Sequence, residues 1–229
     1  MSALDGSLHA AIDMSAEAAC FALARPDGSV ICRTRKPMKQ REASALAGFL
    51  LESLGCANRE LDEIGYWTIG SGPGSFTGMR LAAALVAGLT RGRSSRVRCV
   101  PTAVAIADTL PDIADGAAIV ALFDGRNHEI IAYELTKTAG GSVPSGESSV
   151  LDASGAAAYF AAHADAVFVT RRHELDAVLR LTPESADLRL IDEFDPALLI
   201  SASYQDYDGC FSRLEYIRPA VFPKAEATA

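Results

Sequence analysis

Two apolar runs in this chain end on an aspartate and turn straight back into another apolar run. The first is Leu8-His9-Ala10-Ala11-Ile12-Asp13, returning over residues 20–24; the second covers residues 117–123, ends at Asp124 and returns over 129–136. Each reads as a buried strand with an antiparallel partner, and a repeat of that kind restricts the chain to a duplicated α/β unit. Arg25-Pro26-Asp27-Gly28 supplies turn chemistry before a third strand over 29–33. A helix over 42–54 closed by Gly55, a strand over 64–69, a glycine-rich loop over 70–78, a helix over 79–91 and a strand over 97–100 complete the first unit.

The second unit reads as the smaller. It has helices over 102–110, 153–163 and 173–180, a strand over 166–170 and a short helix over 196–202, with Gly140 to Gly146 as its most flexible-looking loop. The expected division is an N-terminal subdomain over 1–101 and a smaller C-terminal one over 102–229. Its tail, Leu214 to Pro219, reads as a last extended segment or an arm docking back on the first half.

The 229 residues are 49% hydrophobic and 22% charged, which excludes disordered and collagen-like classes. A formal charge of -8 argues against binding nucleic acid alone, since phosphate binding needs clustered cations. Five scattered cysteines (Cys20, Cys32, Cys56, Cys99, Cys210) form no C-x-x-C pair, which fits a reducing cytoplasm better than a disulfide framework. The start of the chain lacks the basic and apolar pattern of a signal peptide, and the longest apolar block, Leu81 to Leu89, is too short to span a bilayer. The four histidines include no i, i+4 pair, and no metal site or cofactor is expected.

Gly70-Ser71-Gly72-Pro73-Gly74-Ser75-Phe76-Thr77-Gly78-Met79-Arg80 is the most distinctive segment. A glycine-rich strand-to-helix turn can present N–H groups to an anion, but no P-loop lysine follows, the G-x-G-x-x-G spacing fails at Ser75, and Pro73 removes a donor. The alternative is a tight turn with Ser75 or Thr77 as helix cap. Asp13 and Asp124 are candidates for placing magnesium on a nucleotide, or are turn formers that bond their own backbone. The helices over 42–54 and 79–91 are apolar beyond one stripe. Either they cover each other within the chain or they form an interface with another protein. Basic clusters at 33–41 and 91–98 read as solvated faces, and are also where an RNA backbone would be sought.

Gly72-Pro73-Gly74-Ser75-Phe76-Thr77-Gly78-Met79-Arg80 resembles the G-P-G-S-F-T-G-[VLM]-R signature of the TsaB (YeaZ) family, bacterial subunits of the machinery that makes threonylcarbamoyladenosine in tRNA. Ala11-Ile12-Asp13-Met14-Ser15 is similar to that family's A-I-D-T-[AS] opening, Asp124-Gly125-Arg126 with Glu129 to its D-A-R-x-x-E segment, and Glu215-Tyr216-Ile217-Arg218-Pro219 to its closing P-x-Y-[LI]-R. The chain departs from the pattern at Met14, at Asn127-His128, and at 39–42, where the family's His-[ST] pair is missing.

The resemblance implies an actin-like (ASKHA, ribonuclease H-like) duplicated α/β fold with a reduced second half. It implies a noncatalytic, cytoplasmic scaffold that pairs with the threonylcarbamoyl-transferring subunit TsaD alongside the ATPase TsaE, acting on adenosine 37 of tRNAs that read codons beginning with A. The partner-facing residues expected from the two helices are Leu46, Phe49, Leu50, Met79, Leu81, Ala84, Leu85 and Gly88. A homodimer is expected when TsaD is missing, with tRNA contacted only inside the complex and no membrane contact. The competing reading is an independent actin-like ATPase or sugar-kinase relative using Asp13 and Asp124 on Mg-ATP. An older label for the wider family, glycoprotease, finds neither a metal site nor a nucleophile arrangement in this sequence.

Overall fold

A computed structural model describes residues 6–38, 45–202, 206–209, 211 and 213–215. The expected helix start at 42, the Lys39 to Arg41 part of the first basic cluster, Cys210 and the Tyr216 to Pro219 part of the closing motif lie outside the described residues.

The first sheet holds β1 (Leu8–Asp13), β2 (Ala18–Ala24), β3 (Val30–Pro37), β4 (Ile64–Gly70) and β5 (Arg96–Val100), in the order β3-β2-β1-β4-β5. β1 runs antiparallel to β2 and parallel to β4, and β4 is parallel to β5. The second sheet comprises β6 (Ala118–Arg126), β7 (Glu129–Thr138), β8 (Gly141–Pro144), β10 (Val167–Arg171) and β11 (Leu188–Ile191), in the order β11-β10-β6-β7-β8, with β9 (Ser149–Leu151) on β7. Substituting β6 for β1, β7 for β2, β8 for β3, β10 for β4 and β11 for β5 turns one order into the other. The fold is therefore the duplicated actin-like α/β arrangement, and its second half is reduced in helix rather than in strand. Helices α1 (Ala45–Cys56) and α2 (Phe76–Thr90) have 12 and 15 residues, whereas α4 (Ala156–Ala162) and α5 (Leu175–Leu179) have 7 and 5.

The two faces of the first sheet take different helices. Ala10, Ile12, Phe21 and Leu23 point into one core with Leu46, Phe49, Leu50 and Leu54 of α1 and Ala82 and Val86 of α2. Ala11 and Ala22 point the other way, into the core that also holds α3 (Thr102–Asp108). Residues 102–107 are wholly buried in a core shared with Ile119, Phe123 and Val169 of the second sheet. α6 (Ala197–Ser201) returns to the first half, packing on β1, β2 and β4. Arg98 of β5 donates to the carbonyls of Leu199, Ile200 and Ala202 at 3.1, 2.6 and 2.7 Å, so one buried guanidinium ends α6 where its carbonyls lack helical partners.

Three local expectations are corrected. α1 runs through Gly55 and closes at Asn58, which takes the left-handed conformation (φ 52°). Arg59 N–H bonds Leu54 O and Asn58 N–H bonds Gly55 O, both at 3.0 Å, the paired closure of a Schellman motif. Gly140 to Gly146 is no free loop, because 141–144 pair with β7 and Ser142 bonds Asp108 through both its N–H and its hydroxyl. α2 begins at Phe76, three residues before the expected start, because Ser75 is its cap and accepts Gly78 N–H at 3.2 Å. β9 and β11 are short additions that the apolar pattern does not single out.

Candidate functional site

The glycine loop packs against the turn that follows β1. A Cβ on Gly70 would stand 1.9 Å from Asp13 Oδ2, one on Gly78 2.0 Å from Met14 O, and one on Gly74 2.1 Å from Ser15 O. Three glycines at intervals of four therefore lie directly against three consecutive residues, and no side chain fits between. Ser75 N–H donates to Ser15 O at 2.7 Å. Thr102 Oγ1 accepts Gly72 N–H at 3.2 Å and donates to Asp13 Oδ2 at 2.5 Å. The two most distinctive sequence motifs, 11–15 and 72–80, are one packed unit, with α3 as its third side.

This packing determines what the loop offers a ligand. Ser71 N–H goes to Val100 O, Gly72 N–H to Thr102, Ser75 N–H to Ser15 O and Gly78 N–H to Ser75 Oγ, while Pro73 has none. Four of the loop's N–H donors are therefore spent inside the protein. Asp13 is likewise wholly buried and engaged: Oδ1 accepts the N–H and hydroxyl of Ser15, both at 2.9 Å, and Oδ2 accepts Thr102. Asp124 makes the same local turn, Oδ1 accepting Arg126 N–H at 2.8 Å, but is exposed. Between the halves, Arg33 pairs with Asp195 at 2.6 Å and Arg35 pairs with Glu193, while within the second half the buried Arg171 pairs with Glu174 at 2.7 Å. Burial, reinforced by the Asp13 carboxylate, pushes the Cys20 thiol up to about 12, so that sulfur stays protonated. Among the described residues no cluster of three or more His, Cys, Asp or Glu has the arrangement to hold a metal ion, and no helix is long and apolar enough to cross a membrane.

The second constellation is the outer face of α1 and α2. Leu46, Phe49, Leu50 and Met79, expected to face a partner, are at most 4% exposed and belong to the chain's own interior. They form the inward stripe that any helix on a sheet must have. Leu81 and Leu85 are half-buried at the edge of that core, and Ala84 and Gly88 are exposed. The sequence reading missed Leu51, 60% exposed, and the small residues Ala47 and Gly48 beside it. From residue 81 to 90 there is no charge at all on a helix that is half open to solvent. A Cβ on Gly48 or Gly88 would meet nothing within 4 Å. Neither glycine has a positive φ, so each gives up about 0.5–1 kcal/mol of helix stability relative to alanine for no reason found within the chain.

Arg80 lies over the Phe76 ring at 4.0 Å, and Arg91, Arg93 and Arg96 are exposed just beyond α2. The tail residue Glu215 docks as its N–H reaches Ser71 O at 2.8 Å, beside the glycine loop. Burial holds the Glu215 carboxyl above the usual range, against a hydrogen bond from Tyr133. At the opposite end of β1 a cleft of about 320 Å³ is lined by His9, Arg25, Arg33, Asp195, Ile200 and Ser201. Its cations already hold Asp195 and Ser29, and burial followed by nearby Arg98 lowers the affinity of His9 for a proton.

Residues 38–158, over half of the chain, match the family described as TsaD, tRNA N6-adenosine threonylcarbamoyltransferase. The chain belongs to the TsaD family. A Pseudomonas aeruginosa protein described as similar to peptidase YeaZ superposes with a TM-score of 0.68 at 23% identity, over 86% of this chain and 89% of that one. YeaZ from the same organism gives 0.66 at 22% identity, over 86% and 90%. With the family match, these two folds support assignment to the TsaB (YeaZ) group. No curated protein matches the chain.

Proposed function

We propose that this chain is a noncatalytic TsaB-type subunit in the synthesis of threonylcarbamoyladenosine at position 37 of tRNA. In this reading the outer face of α1 and α2 packs against a TsaD-like subunit that carries out the transfer. The observation that carries it is the pair of helix glycines, Gly48 and Gly88, exposed in charge-poor stretches and facing open space. Small residues on a helix let a second helix approach closely, and the flanking Leu51, Leu81 and Leu85 supply the apolar area that such contact buries. A TsaE-like ATPase joins the assembly, tRNA is contacted only within it, and the chain works in the cytoplasm. Without its partner the same face pairs two copies of the chain.

The chain's own chemistry is consistent with a supporting part. Asp13 is sealed under the glycine loop, with both oxygens bonded. It has no surface from which to hold a magnesium-bound water, which argues against the ATPase reading. The test is reconstitution of tRNA threonylcarbamoylation from purified TsaD-like and TsaE-like subunits with and without this chain. Modification is expected only when it is present and to survive Asp124→Ala. Full modification in its absence, or loss of activity in Asp124→Ala with assembly intact, contradicts the proposal.

A further inference from the structure

Helix α1 lies over the edge strand β3 as a ladder of matched side chains. Lys36 Nζ donates to Glu52 Oε2 at 3.1 Å, and the hydroxyls of Thr34 and Ser53 meet at 2.7 Å. Residues 36, 34 and 32 share one face of the strand, because alternate side chains point the same way. Cys56 is four residues from Glu52 and three from Ser53, so it lies on the side of the helix between them. Two residues back along β3 and one turn onward along α1, the next rung is Cys32 opposite Cys56. Both are free thiols: Cys32 is partly buried against the core that α1 covers, and Cys56 is exposed. The pairing also registers electrostatically, as burial raises the Cys32 thiol and negative charge on Cys56 pushes it further the same way.

We propose that Cys32 and Cys56 form a reversible disulfide that clasps the last turn of α1 to β3, a thiol modification site within the first half. The oxidant is a small disulfide of the glutathione class. Exposed Cys56, as thiolate, attacks one sulfur of that disulfide and displaces the other as a thiolate, leaving a mixed disulfide. Cys32, on losing its proton, then attacks Cys56 Sγ, forming the protein disulfide and releasing the second small thiolate. Two protein thiols are oxidised and one small disulfide is reduced, the two protons given up by the protein thiols being taken by the two thiolates released. Cys20 and Cys99, 6% and 1% exposed, are shielded from this exchange. The bond would tie α1 down without touching Ala47 and Leu51, which face outward on another side of the helix.

The full chain is equilibrated across a series of reduced and oxidised glutathione, trapped with iodoacetamide, digested without reductant and mapped by mass spectrometry. The expected result is a linked peptide pair joining Cys32 to Cys56 that grows with the oxidised fraction and is released by dithiothreitol. A parallel thermal melt is expected to rise on oxidation in the wild type, because the cross-link restricts the unfolded chain, and to stay unchanged in Cys56→Ser. Glutathione retained on Cys56 alone, a link from either residue to Cys210, or both thiols alkylated at the most oxidising ratio overturns the proposal. So does an equal rise in the melting temperature of Cys56→Ser.

Discussion

The two halves of this molecule share a strand order and even a turn, yet use them oppositely. In each, an aspartate at the end of the first strand accepts the N–H two residues on, Ser15 in one case and Arg126 in the other. In the first half that aspartate is sealed by Thr102 and by the missing Cβ of Gly70, whereas in the second it stands in solvent. The helices diverge as well, long and charge-poor in the first half, short in the second. Duplication preserved the framework; burial and surface character were free to change. The first half spends its glycines on locking a turn and keeps an open helix face, and it is there that function is expected to lie.

Gly70→Ala attacks the difference most severely. Its Cβ would overlap Asp13 Oδ2 in a wholly buried site with no flexible neighbour to yield, so a loss of about 4 kcal/mol or failure to fold is expected, read by urea denaturation. A midpoint within error of wild type would show that the turn is not locked. Next, Asp13→Ala and Asp124→Ala should separate the two related turns. The first strands the buried Thr102 hydroxyl and Ser15 N–H and is expected to cost about 3 kcal/mol, while the second is expected to cost under about 1 kcal/mol. Equal losses would erase the contrast.

A smaller effect, of opposite sign, is expected at the helix face. Gly88→Ala should stabilise the isolated chain by about 0.5–1 kcal/mol, since nothing in the chain approaches that position. A destabilised variant would mean that the chain itself needs the glycine. The smallest effect concerns the tail. The Glu215 carboxyl binds its proton more tightly when folded than unfolded, so its contribution is favourable in acid and is lost as pH rises through the folded value. Glu215→Gln is therefore expected to leave stability unchanged in acid, where the carboxyl is protonated in both states, and to raise it slightly at neutral pH. A variant less stable at neutral pH would reverse that assignment.

Most of the framework was legible in the residues. Turn chemistry at Arg25 to Gly28 and apolar runs ending on Asp13 and Asp124 carried the duplicated strand order, because strands buried on both faces write themselves as unbroken apolar sequence. What escaped depended on contacts distant in sequence. Thr102 lies 89 residues from the Asp13 it bonds, and nothing local marks it as the third side of the glycine unit. Gly55 offered the ordinary helix stop, but Asn58 closed the helix because its amide could reach back to Gly55 O while Arg59 reached Leu54 O. Excess apolarity singled out α1 and α2 but not their outward residues: Leu46 and Phe49 fill the core, and Leu51 is exposed. A helical projection marks a stripe, whereas only the sheet beneath shows which way it turns.

In the proposed function the open face of the first half is the partner surface. The direct measurement is co-elution of a TsaD-like subunit with this chain in size-exclusion chromatography with light scattering, comparing Ala84→Glu/Gly88→Glu with Ala157→Glu/Ala158→Glu on the exposed side of α4. The first pair is expected to abolish the complex at unchanged melting temperature and the second to leave it intact. Full co-elution of the first pair, or equal loss with both, would contradict the proposed partner surface.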